Sequence, residues 1–229
     1  MSPVSITFSK LIDTLQRHYG RPAPPPSTDP LELIIWENIA YLAKDERRAE
    51  ALAKLKESIG TSPEQILAAK HSALAAVAKA GILPDVSAEK LLSIARIAYE
   101  EFGSDLRPVL KKSLPEAKKA LKKFPSIGDP GAEKILLFTH SYPVFALESN
   151  GLRVLCRIGI AEEQKNYSAT YRLVQDGLRD QLPNECDALI RAHLLLRQHG
   201  QELCKRSKPL CGECPVKREC RYSRTAAAS

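Results

Sequence analysis

The chain has 229 residues, of which 44% are hydrophobic and 27% charged, with a formal net charge of +7. That composition suits a globular protein with a core in one or two domains and excludes disordered and collagen-like classes. The apolar stretch 31–41 is interrupted by Glu32, Glu37 and Asn38, so nothing reaches the roughly 18 to 20 residues of a membrane span, and residues 1–9 lack the pattern of a secretory signal; a cytoplasmic chain with no membrane partner is expected.

In chain order, Ser5 to Tyr19 places Phe8, Leu11, Ile12 and Leu15 on one face and stops at Gly20, which predicts an amphipathic helix. Arg21 to Pro30, with prolines at 22, 24, 25, 26 and 30, predicts an extended linker and a domain boundary. Asp29-Pro30 is a suitable cap and first-turn pair for a nearly apolar helix from Leu31 to Leu42, expected at the centre of a core. Further helices are expected over 47–59, 62–70, 72–80, 87–102, 106–113, 115–123, 130–140, 149–159, 168–182 and 184–200. Ser62 with Gln65 reads as a capping box, and Asp129 is expected to cap the helix that follows it. No segment alternates convincingly like a strand and no repeat of solenoid period is present, so the predicted fold class is all-α.

The positive charge is local. Between Arg107 and Lys134 eight Lys/Arg face three acidic residues, and from Gln201 onward seven face three, leaving the rest of the chain slightly acidic. Concentrated basic charge is the footprint of a polyanion-binding surface, although solvated helix faces can look the same.

Four of the six cysteines fall within seventeen residues, as Cys204, Cys211, Cys214 and Cys220 with gaps of six, two and five. In a reducing compartment such a cluster suits metal rather than disulfides. Four thiolates accept either structural zinc or an iron–sulfur cluster. Zinc usually takes two short knuckles, and here only Cys211 and Cys214 make one. Cys156 and Cys186 have no partner at ligand spacing and are expected to be buried structural thiols.

This spacing resembles the iron–sulfur loop of the endonuclease III and MutY-type DNA glycosylases of the helix-hairpin-helix superfamily. His199-Gly200, Lys208-Pro209, Gly212 and the basic residues Lys205, Arg206, Lys208, Lys217 and Arg218 extend the likeness. The resemblance implies a 4Fe–4S cluster on the four cysteines and double-stranded DNA as partner. It also implies a monomer of two helical lobes: a six-helix barrel with the hairpin over 28–140, and a cluster domain from 1–27 and 141–229, with a cleft between them.

Residues 115–123 read as a helix and Phe124-Pro125-Ser126-Ile127-Gly128 as a turn into the next one. A turn of this kind lets backbone N–H groups approach a phosphate, and the following helix N-terminus adds a favourable dipole. The segment is similar to the superfamily's helix-hairpin-helix, with Ser126 where its first turn glycine usually stands. Contacts to DNA are accordingly expected at Lys122, Lys123, Ser126, Gly128 and Gly131, and in the cysteine loop at Lys205, Arg206 and Lys208.

Bifunctional members carry a lysine nucleophile two residues beyond the hairpin, and Pro130 stands there. Lys134, one helical turn on, is the nearest amine. The family's essential aspartate aligns with Glu148, a carboxylate able to stabilise a cationic sugar or orient water. Glu37, after the Asp29-Pro30 opening, resembles the acid–base glutamate of MutY-type and thymine-mismatch glycosylases, and an apolar helix would raise its pKa by desolvation. The resemblance implies a monofunctional DNA N-glycosylase with catalytic residues Glu148 and Glu37; the alternative is a catalytically silent DNA-binding homologue.

Overall fold

The computed structural model describes residues 6–226, so Ser5 lies outside the described residues. Among the described residues twelve α-helices follow one another: α1 (Phe8–Tyr19), α2 (Pro30–Asn38), α3 (Asp45–Ser58), α4 (Pro63–Ala68), α5 (His71–Val77), α6 (Pro84–Phe102), α7 (Leu114–Leu121), α8 (Asp129–Phe138), α9 (Ser149–Ile158), α10 (Tyr167–Leu178), α11 (Cys186–Glu202) and α12 (Arg221–Ala226). Short 3-10 turns occupy Ala78–Ala80, Arg107–Lys111 and Arg179–Gln181. Among the described residues there is no strand, and no helix is long and apolar enough to cross a membrane. The all-α reading is borne out.

The chain forms two compact units, one from Met1–Pro24 with Pro143–Ser229 and the other from Pro25–Tyr142. In the first, α11 packs on α9 and α1, while α10 and α12 also lie on α9. Phe8, Leu11, Ile12 and Leu15 of α1 are all buried, as the helical period requires. Each such side chain contributes about 1.5–3 kcal/mol of transfer free energy. Thr7 caps the helix through the Lys10 N–H, and Phe8 meets Phe145 edge-on at 5.2 Å.

In the second unit α4 and α5 pack on α6, α2 contacts α3, α6 and α8, and α7 pairs with α8. Asp29 accepts from the N–H groups of Leu31 and Glu32, and Leu33, Ile34 and Ile35 are buried. The Asn38 amide donates to the carbonyls of Ile34 and of Pro125, which ties the end of α2 to the hairpin turn.

Several boundaries depart from expectation. Helix α2 ends at Asn38, not Leu42. Leu42 is left-handed at φ 57° and 71% exposed, so it lies outside the core. The chain is turned there because the Ile82 N–H donates to the Tyr41 carbonyl, and Gly81 packs so closely that a Cβ would sit 2.6 Å from the Tyr41 nitrogen. The helix expected over 106–113 is only a 3-10 turn, since the Ser113 and Glu116 capping box opens α7 directly after it. Helix α12, too short and polar to show a period, was not expected. Cys156 is buried, whereas Cys186 is half-exposed at the first turn of α11.

Candidate nucleic-acid interface and cluster site

Ser126 lies in the left-handed region at φ 62°, the conformation for which glycine is usually chosen. Its hydroxyl accepts from Lys90 at 3.0 Å. Gly128, not Asp129, is the N-cap of α8, and it offers no capping side chain. The Asp129 carboxylate is drawn instead to Lys122 at 3.1 Å and Lys118 at 3.3 Å on α7. Burial alone would push Asp129 up, but hydrogen bonds and charge from Lys122 and Lys118 outweigh it and hold the carboxyl below the usual aspartate range. The start of α8 thus has no side-chain cap, and the first N–H groups of a helix are donors that an anion can satisfy. Gly128 and Ser126 are exposed there, and Gly131 is half-buried in the first turn. Both expected lysines are engaged: Lys122 with Asp129, and Lys123 with Glu101 and the face of Phe102.

Glu37 of α2 pairs with Lys134 of α8 at 2.7 Å, with side chains only 21% and 17% exposed. Desolvation on a nearly apolar helix, expected for Glu37, is thus not its whole setting: an ammonium lies within ion-pair distance. Pro130, two residues beyond the turn, lies at the second position of α8.

Sequence reasoning missed a feature beside the hairpin. Tyr41, Leu42, Ile82, Leu83 and Val86 are exposed apolar residues on two loops joined by the Ile82-to-Tyr41 hydrogen bond and on the start of α6. Lys90 lies over the Tyr41 ring, with its ammonium 6.0 Å from the centroid, and bonds Ser126, so it links these side chains to the turn. The readable signal was the pair of apolar residues Ile82-Leu83 between Gly81 and Pro84, a loop with no core to serve.

In the other unit Glu148 is the N-cap of α9. One carboxylate oxygen accepts from the Gly151 N–H at 2.6 Å and the other from the Asn150 amide at 2.7 Å. The Asn150 oxygen in turn accepts from Arg153 at 2.8 Å. Arg153, 7% exposed, also donates to the carbonyls of Cys204 at 2.9 Å and Gly200 at 2.8 Å. Gly200 is required at that contact, because a Cβ would lie 2.6 Å from Asn150. Glu148 is thus fixed by a hydrogen-bonded path that ends on the cysteine loop.

The loop starts where α11 stops, with the Cys204 N–H returning to the His199 carbonyl, and it ends at Cys220 just before α12. Cys204, Cys211, Cys214 and Cys220 line one pocket, shared with His199, Arg157 and Tyr222. No three His, Cys, Asp or Glu side chains among the described residues converge closely enough to hold a single metal ion. Arg157, stacked on Tyr222, gathers the carbonyls of Cys204, Lys205 and Arg206 and approaches the Cys204 sulfur at 3.4 Å. Burial pushes the Cys214 thiol up to about 11 and raises Cys220 as well. Lys205, Arg206 and Lys208 are exposed on the loop.

No family model matches the chain. It is 26% identical over 197 residues to the endonuclease III of Thermotoga maritima, a match covering 86% of this chain and 85% of that protein. Among solved structures it resembles a non-covalent endonuclease III–DNA complex with a TM-score of 0.76 and 17% identity, covering 98% of this chain and 100% of that one. A thermostable thymine-DNA glycosylase gives a TM-score of 0.73 and 19% identity, covering 95% and 97%. The two structures establish the shared helix-hairpin-helix fold, and the full-length similarity in sequence carries the relationship. In fold, hairpin, cysteine loop and sequence this chain is similar to the helix-hairpin-helix DNA glycosylases of the endonuclease III type.

Proposed function

We propose that the chain is a monofunctional DNA N-glycosylase, acting as a monomer on duplex DNA and hydrolysing the bond between deoxyribose and a damaged or mispaired base. The observation that carries the reading is Glu148, a carboxylate pinned at the start of α9 by Gly151 and Asn150. When the glycosidic bond breaks, positive charge develops at C1′ of the sugar, and a fixed carboxylate stabilises it without reorganising. Water adds to C1′ as the base departs with the bond's electron pair. Pro130 has no amine, so it cannot take water's place as nucleophile and form a covalent adduct.

Glu37, paired with Lys134, is the second candidate catalytic group. The hairpin residues Lys122, Lys123, Ser126, Gly128 and Gly131 and the loop residues Lys205, Arg206 and Lys208 are proposed to hold the DNA backbone. Backbone N–H groups and lysines recognise phosphate without reading sequence. The exposed apolar group around Leu42 and Ile82 supplies the other half of such a surface, since apolar side chains lever base steps apart where a duplex is opened.

The four loop cysteines are proposed to hold a 4Fe–4S cluster. One tetrahedral zinc would draw its thiolates to about 3.8 Å from each other. The four cysteines line one pocket, and only Cys211 and Cys214 make the short knuckle that structural zinc usually takes twice. Cys204 and Cys220 stand at the two ends of the loop to which Arg153 is anchored, so a cluster held there would tie those ends together.

The test is a panel of duplexes carrying uracil, oxidised pyrimidine, alkylpurine, adenine opposite 8-oxoguanine, or an abasic site. Base release that slows strongly in Glu148→Gln, with no borohydride-trapped adduct, is the expected result. Binding of every duplex without release supports the second reading, a silent DNA-binding homologue. That reading is favoured by one observation: both oxygens of Glu148 are already engaged, one by the Gly151 N–H that it caps and one by the Asn150 side-chain amide.

A further inference from the structure

The geometry assigns to His199 the hydrogen bond that sets the reduction potential of the cluster, with Tyr19 holding the imidazole in its donating tautomer. This rests on the cluster reading above. His199 is 1% exposed in the last turn of α11. Its Nε2 lies 3.5 Å from the Cys214 sulfur, and its Nδ1 lies 2.9 Å from the Tyr19 hydroxyl of α1. The two rings also meet edge-on at 5.9 Å.

A neutral imidazole has one N–H and one lone pair, and a phenol hydroxyl has one proton to give. When Tyr19 donates to Nδ1, the imidazole proton sits on Nε2 and points at the Cys214 sulfur. The opposite tautomer would set a lone pair against a thiolate. Tyr19 therefore selects the tautomer that is useful to the sulfur, as outer partners of ligand groups commonly do. Hydrogen bonds to ligand sulfur withdraw electron density and favour the reduced cluster, which raises its potential. Full burial keeps water from replacing the bond. Arg157, the other side-chain donor to a ligand sulfur, is a poorer candidate for tuning because it also clamps three loop carbonyls.

The experiment uses the whole chain purified without oxygen. Iron and sulfide content are measured first, and the midpoint potential is then read at an electrode for the wild type, His199→Phe, His199→Gln and Tyr19→Phe. The potential is expected to fall in His199→Phe and in Tyr19→Phe, and to return toward wild type in His199→Gln, whose amide can donate. The cysteine-bound Fe–S stretching frequency should rise in the two lowered variants. If His199→Phe fails to retain its cluster, Tyr19→Phe, which leaves the imidazole in place, decides the matter. Wild-type potentials in fully loaded His199→Phe and Tyr19→Phe overturn the assignment and leave the cluster reading standing. Wild-type protein without iron overturns the cluster reading, and this one with it.

Discussion

Arg153 donates from Nε to the carbonyl of Cys204 at 2.9 Å while its Nη2 holds Asn150, so one buried guanidinium connects the cysteine loop with the residue that orients Glu148. Replacing it with methionine leaves the Cys204 and Gly200 carbonyls without this donor in a dry setting. Arg153→Met should cost about 2–4 kcal/mol of stability, read by urea unfolding, and should speed iron loss to a chelator.

Ser126 occupies a backbone conformation that costs a side-chain-bearing residue about 1–2 kcal/mol. Its bond to Lys90 is exposed and returns little. Ser126→Gly, after the entropy that glycine adds to the unfolded chain, should stabilise the protein by about 0.5–1 kcal/mol, seen as a higher melting temperature. Duplex affinity should hold or improve.

Glu148→Gln preserves the length of the side chain and its capping oxygen but removes the charge. Base release should slow by about 10²–10³-fold with duplex affinity nearly unchanged, measured by single-turnover excision and by binding titration.

Leu42 is 71% exposed and Ile82 63%, so truncating them removes almost no core. Leu42→Ala and Ile82→Ala should leave unfolding free energy within about 0.5 kcal/mol of wild type yet weaken duplex binding several-fold. The salt dependence of binding should keep its slope, because apolar groups release no counterions.

Lys205 and Lys208 should behave in the opposite way. Each change to alanine is expected to lower the slope of log affinity against log salt by about 0.9, with an equal loss on any duplex sequence. Unchanged slopes would place the loop off the DNA.

Much of this architecture could be read from residue order. The helical period of α1 and the Asp29-Pro30 start of α2 act locally, and the structure repeats them. The end of α2 was not legible, because Leu42 is turned out by a hydrogen bond to Ile82 and by the close approach of Gly81, contacts between distant segments. The same limit explains Asp129. Its type suits a cap, but two lysines on the preceding helix offer its charge a better place. At the cysteine loop, spacing singled out the four thiols, whereas the contacts of Arg153, Arg157 and His199 emerge only when α9 and α11 lie together.

The hydrogen bond between Tyr19 and His199 spans 180 residues of sequence. During synthesis α1 leaves the ribosome well before α11, the helix it packs against, has been made. The continuous segment Pro25–Tyr142 can complete its own contacts meanwhile. Helix α1 therefore cannot complete its packing until α11 has been made. Maturation of this protein is accordingly a late event, and truncations that spare the hairpin while removing the cysteine loop should strand α1 without its partner.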